Sequence, residues 1–159
     1  MLTELPLGLP GRVFRSPMPF SPYDAQGALW QRYQSEEVDV VVILNESQEY
    51  LVHAQRDLLD FYQQADLKVI LCPIPDFHVP PDPVLFENRL QEVIGQLKKG
   101  KDVVIHCMAG IGRTGLFLAC LARRVLGYTG LEAIAWVRCY IPGALENSEQ
   151  EHFVTDECQ

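Results

Sequence analysis

Val103-Val-Ile-His106 runs into a glycine-punctuated turn, Cys107-Met-Ala-Gly-Ile-Gly-Arg-Thr-Gly115, and Leu116 to Val125 follows as an apolar stretch of helical length. A strand that is apolar on both faces must be covered on both, so the chain is committed to helices packed against a largely parallel sheet. The turn then opens at a helix N-terminus, where backbone N–H groups lack an intrahelical partner and point outward. Winding such a turn round a tetrahedral anion requires positive φ or close backbone approach, and Gly110, Gly112 and Gly115 carry no Cβ to oppose either. The backbone of Met108, Ala109, Gly110, Ile111 and Gly112 is therefore expected to bind phosphate. Arg113 adds a planar fork that holds two phosphate oxygens at once. Cys107 lies at the floor of this trap as the candidate nucleophile, because helix N-termini and nearby cations favour a thiolate. A cysteine behind a buried strand is by itself commonly an inert core residue; the arginine at this spacing is what favours the trap.

The fold class expected is α/β: one domain over residues 1–159, with a mostly parallel central sheet flanked by helices on both faces. Ser21-Pro-Tyr-Asp24 combines a cap, a proline at the first helical position and an acid, and predicts a helix to about Glu36. Val38 to Leu44 reads as a buried strand, Gln48 to Ala65 as a helix with Phe61 and Tyr62 at helical spacing, and Lys68 to Cys72 as a short strand. Asp82 to Lys98 reads as a helix ending at Gly100, and Thr129-Gly-Leu-Glu132 as a capping box opening a helix to Tyr140. An early strand at Arg12 to Arg15 is expected at the sheet edge.

With a net charge of -8, the chain is not expected to bind nucleic acid or an anionic membrane through general charge. Its longest apolar runs are too short to span a bilayer and the N-terminal residues lack a basic region, so a cytoplasmic monomer is expected. Five cysteines, at 72, 107, 120, 139 and 158, are odd in number and without framework spacing, which suits a reducing compartment. No metal or other cofactor is expected.

A thiolate attacking a phosphate monoester needs a general acid at the leaving oxygen. Asp76 is the candidate. It lies in the proline-rich loop Cys72-Pro-Ile-Pro-Asp-Phe-His-Val-Pro-Pro81 after a predicted strand, where α/β sheets gather site residues. Asp82 is the alternative, although its place before a helix suits capping. His78 lines the entrance on this reading and His53 falls on a predicted helix. His106 should point away from the nucleophile, since strand side chains alternate.

The run His106-Cys107-x-x-Gly110-x-x-Arg113-Thr114-Gly115 resembles the Cys-x5-Arg signature of the protein tyrosine phosphatase superfamily. The resemblance extends from Gly11-Arg-Val-Phe-Arg-Ser through Phe153, and the small size points to the dual-specificity branch. Leu58-Leu-Asp-Phe-Tyr-Gln-Gln64 with Pro73-Ile-Pro-Asp76 looks like the kinase-associated phosphatase type, and Pro142-Gly-Ala-Leu-Glu146 like small atypical dual-specificity enzymes. The resemblance implies that Asp76 protonates the leaving group and then activates water. It also implies that His106 orders the loop and helps to keep Cys107 ionised, and that Thr114 stabilises the departing thiolate. Gln150 matches the glutamine that positions the hydrolytic water, although Ile141 stands where the pattern has arginine.

The implied function is a phosphoprotein phosphatase taking phosphotyrosine, with phosphoserine and phosphothreonine as further substrates, through a cysteinyl-phosphate intermediate. The alternatives are a phosphatase for phosphoinositides or RNA 5′ ends, a non-catalytic phosphate-binding module, and thiol redox or arsenate chemistry pairing Cys107 with Cys72. Met108 and Ile111 occupy loop places where lipid phosphatases often carry lysines.

Overall fold

The computed structural model describes residues 1–158. Five strands form one sheet in the order β1-β2-β5-β3-β4: β1 (Thr3–Leu5), β2 (Val13–Ser16), β3 (Val40–Ile43), β4 (Lys68–Leu71) and β5 (Val103–His106). β1 runs antiparallel to β2, and the remaining neighbours are parallel. β5 is therefore the middle strand, with His106 in register with Ser16 on one side and Ile43 on the other.

Strand alternation sorts the core into two clusters. Val40, Val42, Val103 and Ile105 face α4 (Pro83–Lys98), α5 (Gly112–Leu126) and α6 (Gly130–Tyr140). Val41, Ile43 and Val104 face α1 (Ala28–Ser35), α2 (Ser47–His53) and α3 (Leu58–Gln64). The expected α/β architecture with helices on both faces is present. A short α7 (Ser148–His152) and a π-helical turn at Phe153–Glu157 follow. No helix among the described residues is long and apolar enough to cross a membrane.

Four expectations need correction. The strand near Arg12 lies inside the sheet, and the edge belongs to β1, which three residues beside a proline do not announce as a strand. Ser21 caps only a 3₁₀ turn at Pro22–Asp24, after which Gly27 enters the left-handed region at φ 69° and α1 begins afresh. The helix expected from Gln48 to Ala65 is broken: α2 ends at His53, Gln55 sits at φ 53°, and Asp57 starts α3 by accepting from the Asp60 N–H. Finally, α5 begins at Gly112 instead of Leu116, so Arg113 and Thr114 belong to its first turn.

The Thr129 capping box is complete, with Glu132 N–H donating to the Thr129 hydroxyl and the Glu132 carboxylate accepting from the Thr129 N–H. Removing such a cap typically costs ~1 kcal/mol. Asp82 caps α4 through the Val84 and Leu85 N–H groups at 3.1 and 3.0 Å, the role its position suggested.

Candidate active site

The middle strand delivers Cys107 to the floor of a turn that neighbouring strands shape. Gly110 adopts φ 74°, and a Cβ there would meet the Ser16 carbonyl oxygen at 2.5 Å, so the position requires glycine on both counts. Met18 N–H donates to the Met108 carbonyl at 3.0 Å. The Arg15 guanidinium, buried on β2, donates from both Nε (3.0 Å) and Nη2 (2.7 Å) to the Gly110 carbonyl. At Gly112 the close neighbour is a side chain, with Glu146 Oε2 2.7 Å from where a Cβ would stand. Glycine spacing in the sequence anticipated these approaches but not what approaches.

Arg113 is only 1% exposed. Its Nη1 and Nη2 each bind one Glu49 carboxylate oxygen at 2.8 Å, Nη1 also reaches the Ile74 carbonyl at 3.0 Å, and Nη2 lies 3.1 Å from Asp76 Oδ1. Burial works against its charge, but Glu49, Cys107 and Asp76 outweigh that and hold the guanidinium above its ordinary range. Burial likewise opposes ionisation of Glu49; Arg113 and the Glu46 N–H overcome it and lower that carboxyl. The remaining donor, Arg113 Nε, is buried and has no hydrogen-bond partner among the described residues, and neither has the Thr114 hydroxyl. A buried polar atom left unpaired costs ~1–3 kcal/mol. The Nε atoms of Arg123 and Arg124 are likewise unpaired, and it is the place of Arg113 and Thr114 in the first turn of α5, directly after the Cys107 turn, that leaves their donors available to an anion.

His106 faces the α3 side of the sheet, as alternation required, with Nε2 3.0 Å from the Tyr62 hydroxyl and Nδ1 3.0 Å from Asn45 Oδ1. Asn45 Nδ2 donates onward to Glu49 at 3.3 Å. A continuous chain Tyr62–His106–Asn45–Glu49–Arg113 thus orients the Arg113 guanidinium. Burial is the main cause that lowers the imidazole pKa, to about 3. The imidazole is therefore held in its neutral form, hydrogen-bonded to Tyr62 and Asn45.

Asp76 stands at the rim, half exposed, in a turn where Phe77 takes φ 63° and its N–H donates to Asp76 Oδ1 at 3.0 Å. This loop is stapled to the C-terminal segment. Asn147 Nδ2 donates to the Phe77 carbonyl at 2.7 Å, and Gln150 Nε2 to the His78 carbonyl at 3.2 Å. Gln150 Oε1 accepts from the Glu146 N–H at 2.8 Å. Gln150 is fully buried, and these two bonds tie its amide to the back of the acid loop. From the same segment, the Glu146 side chain lies against Gly112. Its carboxyl is raised by burial first and Asp76 second, against the pull of Arg113.

Cys72 is buried, which pushes its thiol up to about 12 and keeps it protonated, a poor partner for thiol exchange. His53 lies on α2, away from this network, and His78 sits 3.8 Å from Glu149 at the outer rim.

Sequence reasoning missed Arg15, Glu49, Asn45 and Glu146. Asn45 and Glu49 had a usable signal, since they follow directly on β3 at the carboxyl end of the sheet, where Asp76 follows β4. Arg15 had none, because its role depends on β2 lying beside β5.

A family model described as Tc-R-P: Polymorphic toxin system, DSP-PTPase phosphatase, matches residues 23–125. The human dual specificity protein phosphatase CDC14A is 29% identical over 158 residues, which cover 93% of this chain but 24% of that protein; the chain spans about a quarter of its length. Among solved structures, Tk-PTP in its active form superposes with a TM-score of 0.78 at 30% identity, covering 98% of this chain and 95% of that one. The kinase associated phosphatase KAP, with its catalytic-site cysteine replaced by serine, gives a TM-score of 0.87 at 21% identity, over 97% of this chain and 91% of that one. The signature around Cys107, the matched family model and the shared fold agree: this chain belongs to the dual-specificity branch of the cysteine-based protein tyrosine phosphatase superfamily.

Proposed function

We propose that this protein is a phosphoprotein phosphatase that hydrolyses phosphotyrosine, with phosphoserine and phosphothreonine as further substrates, in two steps at Cys107. The observation that carries the reading is the buried, unpartnered Nε of Arg113, on a guanidinium whose other nitrogens Glu49 fixes in place. In the first step the Cys107 thiolate attacks phosphorus, the ester P–O bond breaks, and Asp76 donates a proton to the departing oxygen. In the second, water attacks the cysteinyl phosphate, the P–S bond breaks, Asp76 takes the water's proton, and the thiolate is restored. The Thr114 hydroxyl, buried and unpartnered, is available to the departing sulfur. Loop amides and Arg113 hold the equatorial oxygens throughout, and such preorganised donors are commonly worth 10²–10³ in rate each.

The substrate class is supported by CDC14A being named a dual specificity protein phosphatase and by the absence of a lysine at Met108 or Ile111. Five free thiols among the described residues support a reducing, cytoplasmic setting, and the protein is proposed to act as a monomer on protein substrates.

Hydrolysis of para-nitrophenyl phosphate in EDTA, followed against pH, tests the chemistry. Cys107→Ser should abolish turnover, and Asp76→Asn should lower kcat by about 10²–10⁴ and remove the limb due to the general acid. Retained turnover in clean Cys107→Ser protein overturns the mechanism. Parallel assays on phosphopeptides, phosphoinositides and triphosphorylated RNA decide the substrate class, and preference for either of the latter two overturns the phosphoprotein assignment.

A further inference from the structure

We propose that Arg15 is a positioning residue for this centre: its guanidinium locks the Gly110–Ile111 peptide so that the Ile111 N–H faces the phosphate, and it serves as a second buried cation beside the Cys107 thiolate. The inference rests on the proposed function and adds a residue that the Cys-x5-Arg signature does not contain.

The argument begins with a cost. Arg15 is 6% exposed, and the groups that bear on its charge are Cys107 and Tyr33, with no carboxylate among them. Burying a guanidinium without an anionic partner is unfavourable, and apolar residues of similar volume commonly give equal or better stability. Retaining the charge here calls for a role that an apolar side chain cannot perform.

Peptide geometry identifies that role. A trans peptide points its C=O and N–H in opposite directions. Arg15 draws the Gly110 carbonyl towards β2 with two donors at 3.0 and 2.7 Å, so the N–H of Ile111 is turned away from β2. Two peptides earlier, Met18 N–H draws the Met108 carbonyl the same way, which turns the Ala109 N–H likewise. Two amides of the trap are thus aimed by a segment of four residues, Arg15 to Met18. Gly110 is where such a lock matters most. The positive φ that the turn demands comes with glycine's low resistance to rotation, and a rotated peptide would present a carbonyl oxygen, not a donor, to the phosphate. The lock and the cation act together, because the Arg15 charge that holds the Gly110 carbonyl also bears on Cys107, whereas the charge of Arg113 is shared with Glu49.

The test compares wild type, Arg15→Met and Arg15→Lys by calorimetric titration with sodium tungstate, a tetrahedral oxyanion that needs no turnover, and by the pH dependence of Cys107 alkylation with iodoacetamide. Arg15→Met should bind tungstate about 10- to 100-fold more weakly, as expected for losing charge-assisted hydrogen bonds, and its alkylation profile should move to higher pH. Arg15→Lys keeps the charge but not the two-donor fork, so its alkylation profile should stay near wild type while tungstate affinity falls about tenfold. Wild-type tungstate affinity and an unmoved alkylation profile in folded Arg15→Met overturn the proposal. Should that variant not fold, wild-type affinity in Arg15→Lys does so. These readouts are separate from the proposed function, which fails instead if wild-type protein shows no Cys107-dependent hydrolysis.

Discussion

His106 shows how much of the site depends on a group that does no chemistry itself. Its neutral ring joins Tyr62 to Asn45 and so to Glu49 and Arg113. With a folded-state pKa of about 3 against an ordinary 6.5, the unfolded chain binds a proton that the folded one refuses. The associated stability is present above about pH 6.5 and is lost as pH falls towards 3, at up to about 1.4 kcal/mol per pH unit. Chemical denaturation at pH 7 and pH 5 should therefore show a steeper loss for wild type than for His106→Gln; parallel losses would mean that the ring is not held neutral. Cys107, Arg113 and Asp76 were legible in the sequence because chemistry fixes their type, and for the first two their spacing. Arg15 and Glu49 were not, because an arginine on a strand and a glutamate in a helix start acquire meaning only when β2 and β3 close on β5.

At the level of elements, the site divides between a rigid half and a stapled half. The strand Val103–His106 and the α6 capping box read directly from the sequence, since each is set by residues within a few positions. The breaks at Gly27 and Gln55 did not, because apolar spacing alone carries through an interruption that φ values of 69° and 53° impose. The acid loop hangs on Asn147 and Gln150, and this arrangement has a kinetic signature. Gln150→Met removes the brace and leaves the Glu146 N–H and His78 carbonyl unpaired, a destabilisation of ~1–3 kcal/mol per group by thermal melting. Its kcat should fall further for alkyl phosphates, whose alkoxide leaving groups depend most on the acid's proton, than for para-nitrophenyl phosphate, whose more acidic leaving group depends on it less. An equal fall on both substrates would assign Gln150 to the second step, as the family resemblance implied.

The molecule as a whole carries a net charge of -8 around a centre whose buried cations are Arg15 and Arg113. Small dianionic substrates approach against that field, and added salt screens it, with a Debye length of about 30 Å at 0.01 M and about 8 Å at 0.15 M. Raising sodium chloride over this range should increase kcat/KM for para-nitrophenyl phosphate and decrease it for a phosphopeptide flanked by lysines; the opposite pair of trends would show that the local field at the entrance is positive. Cys107 and Arg113 are anchored to the middle strand and the helix packed on it, whereas Asp76 rides on a loop held by its ion pair to Arg113 and by the brace from Asn147 and Gln150. Capture and turnover can consequently be lost independently. On the proposed function, proteolytic nicking or oxidation confined to the rim would leave a receptor that still sequesters phosphorylated side chains, converting an eraser of the mark into a shield for it.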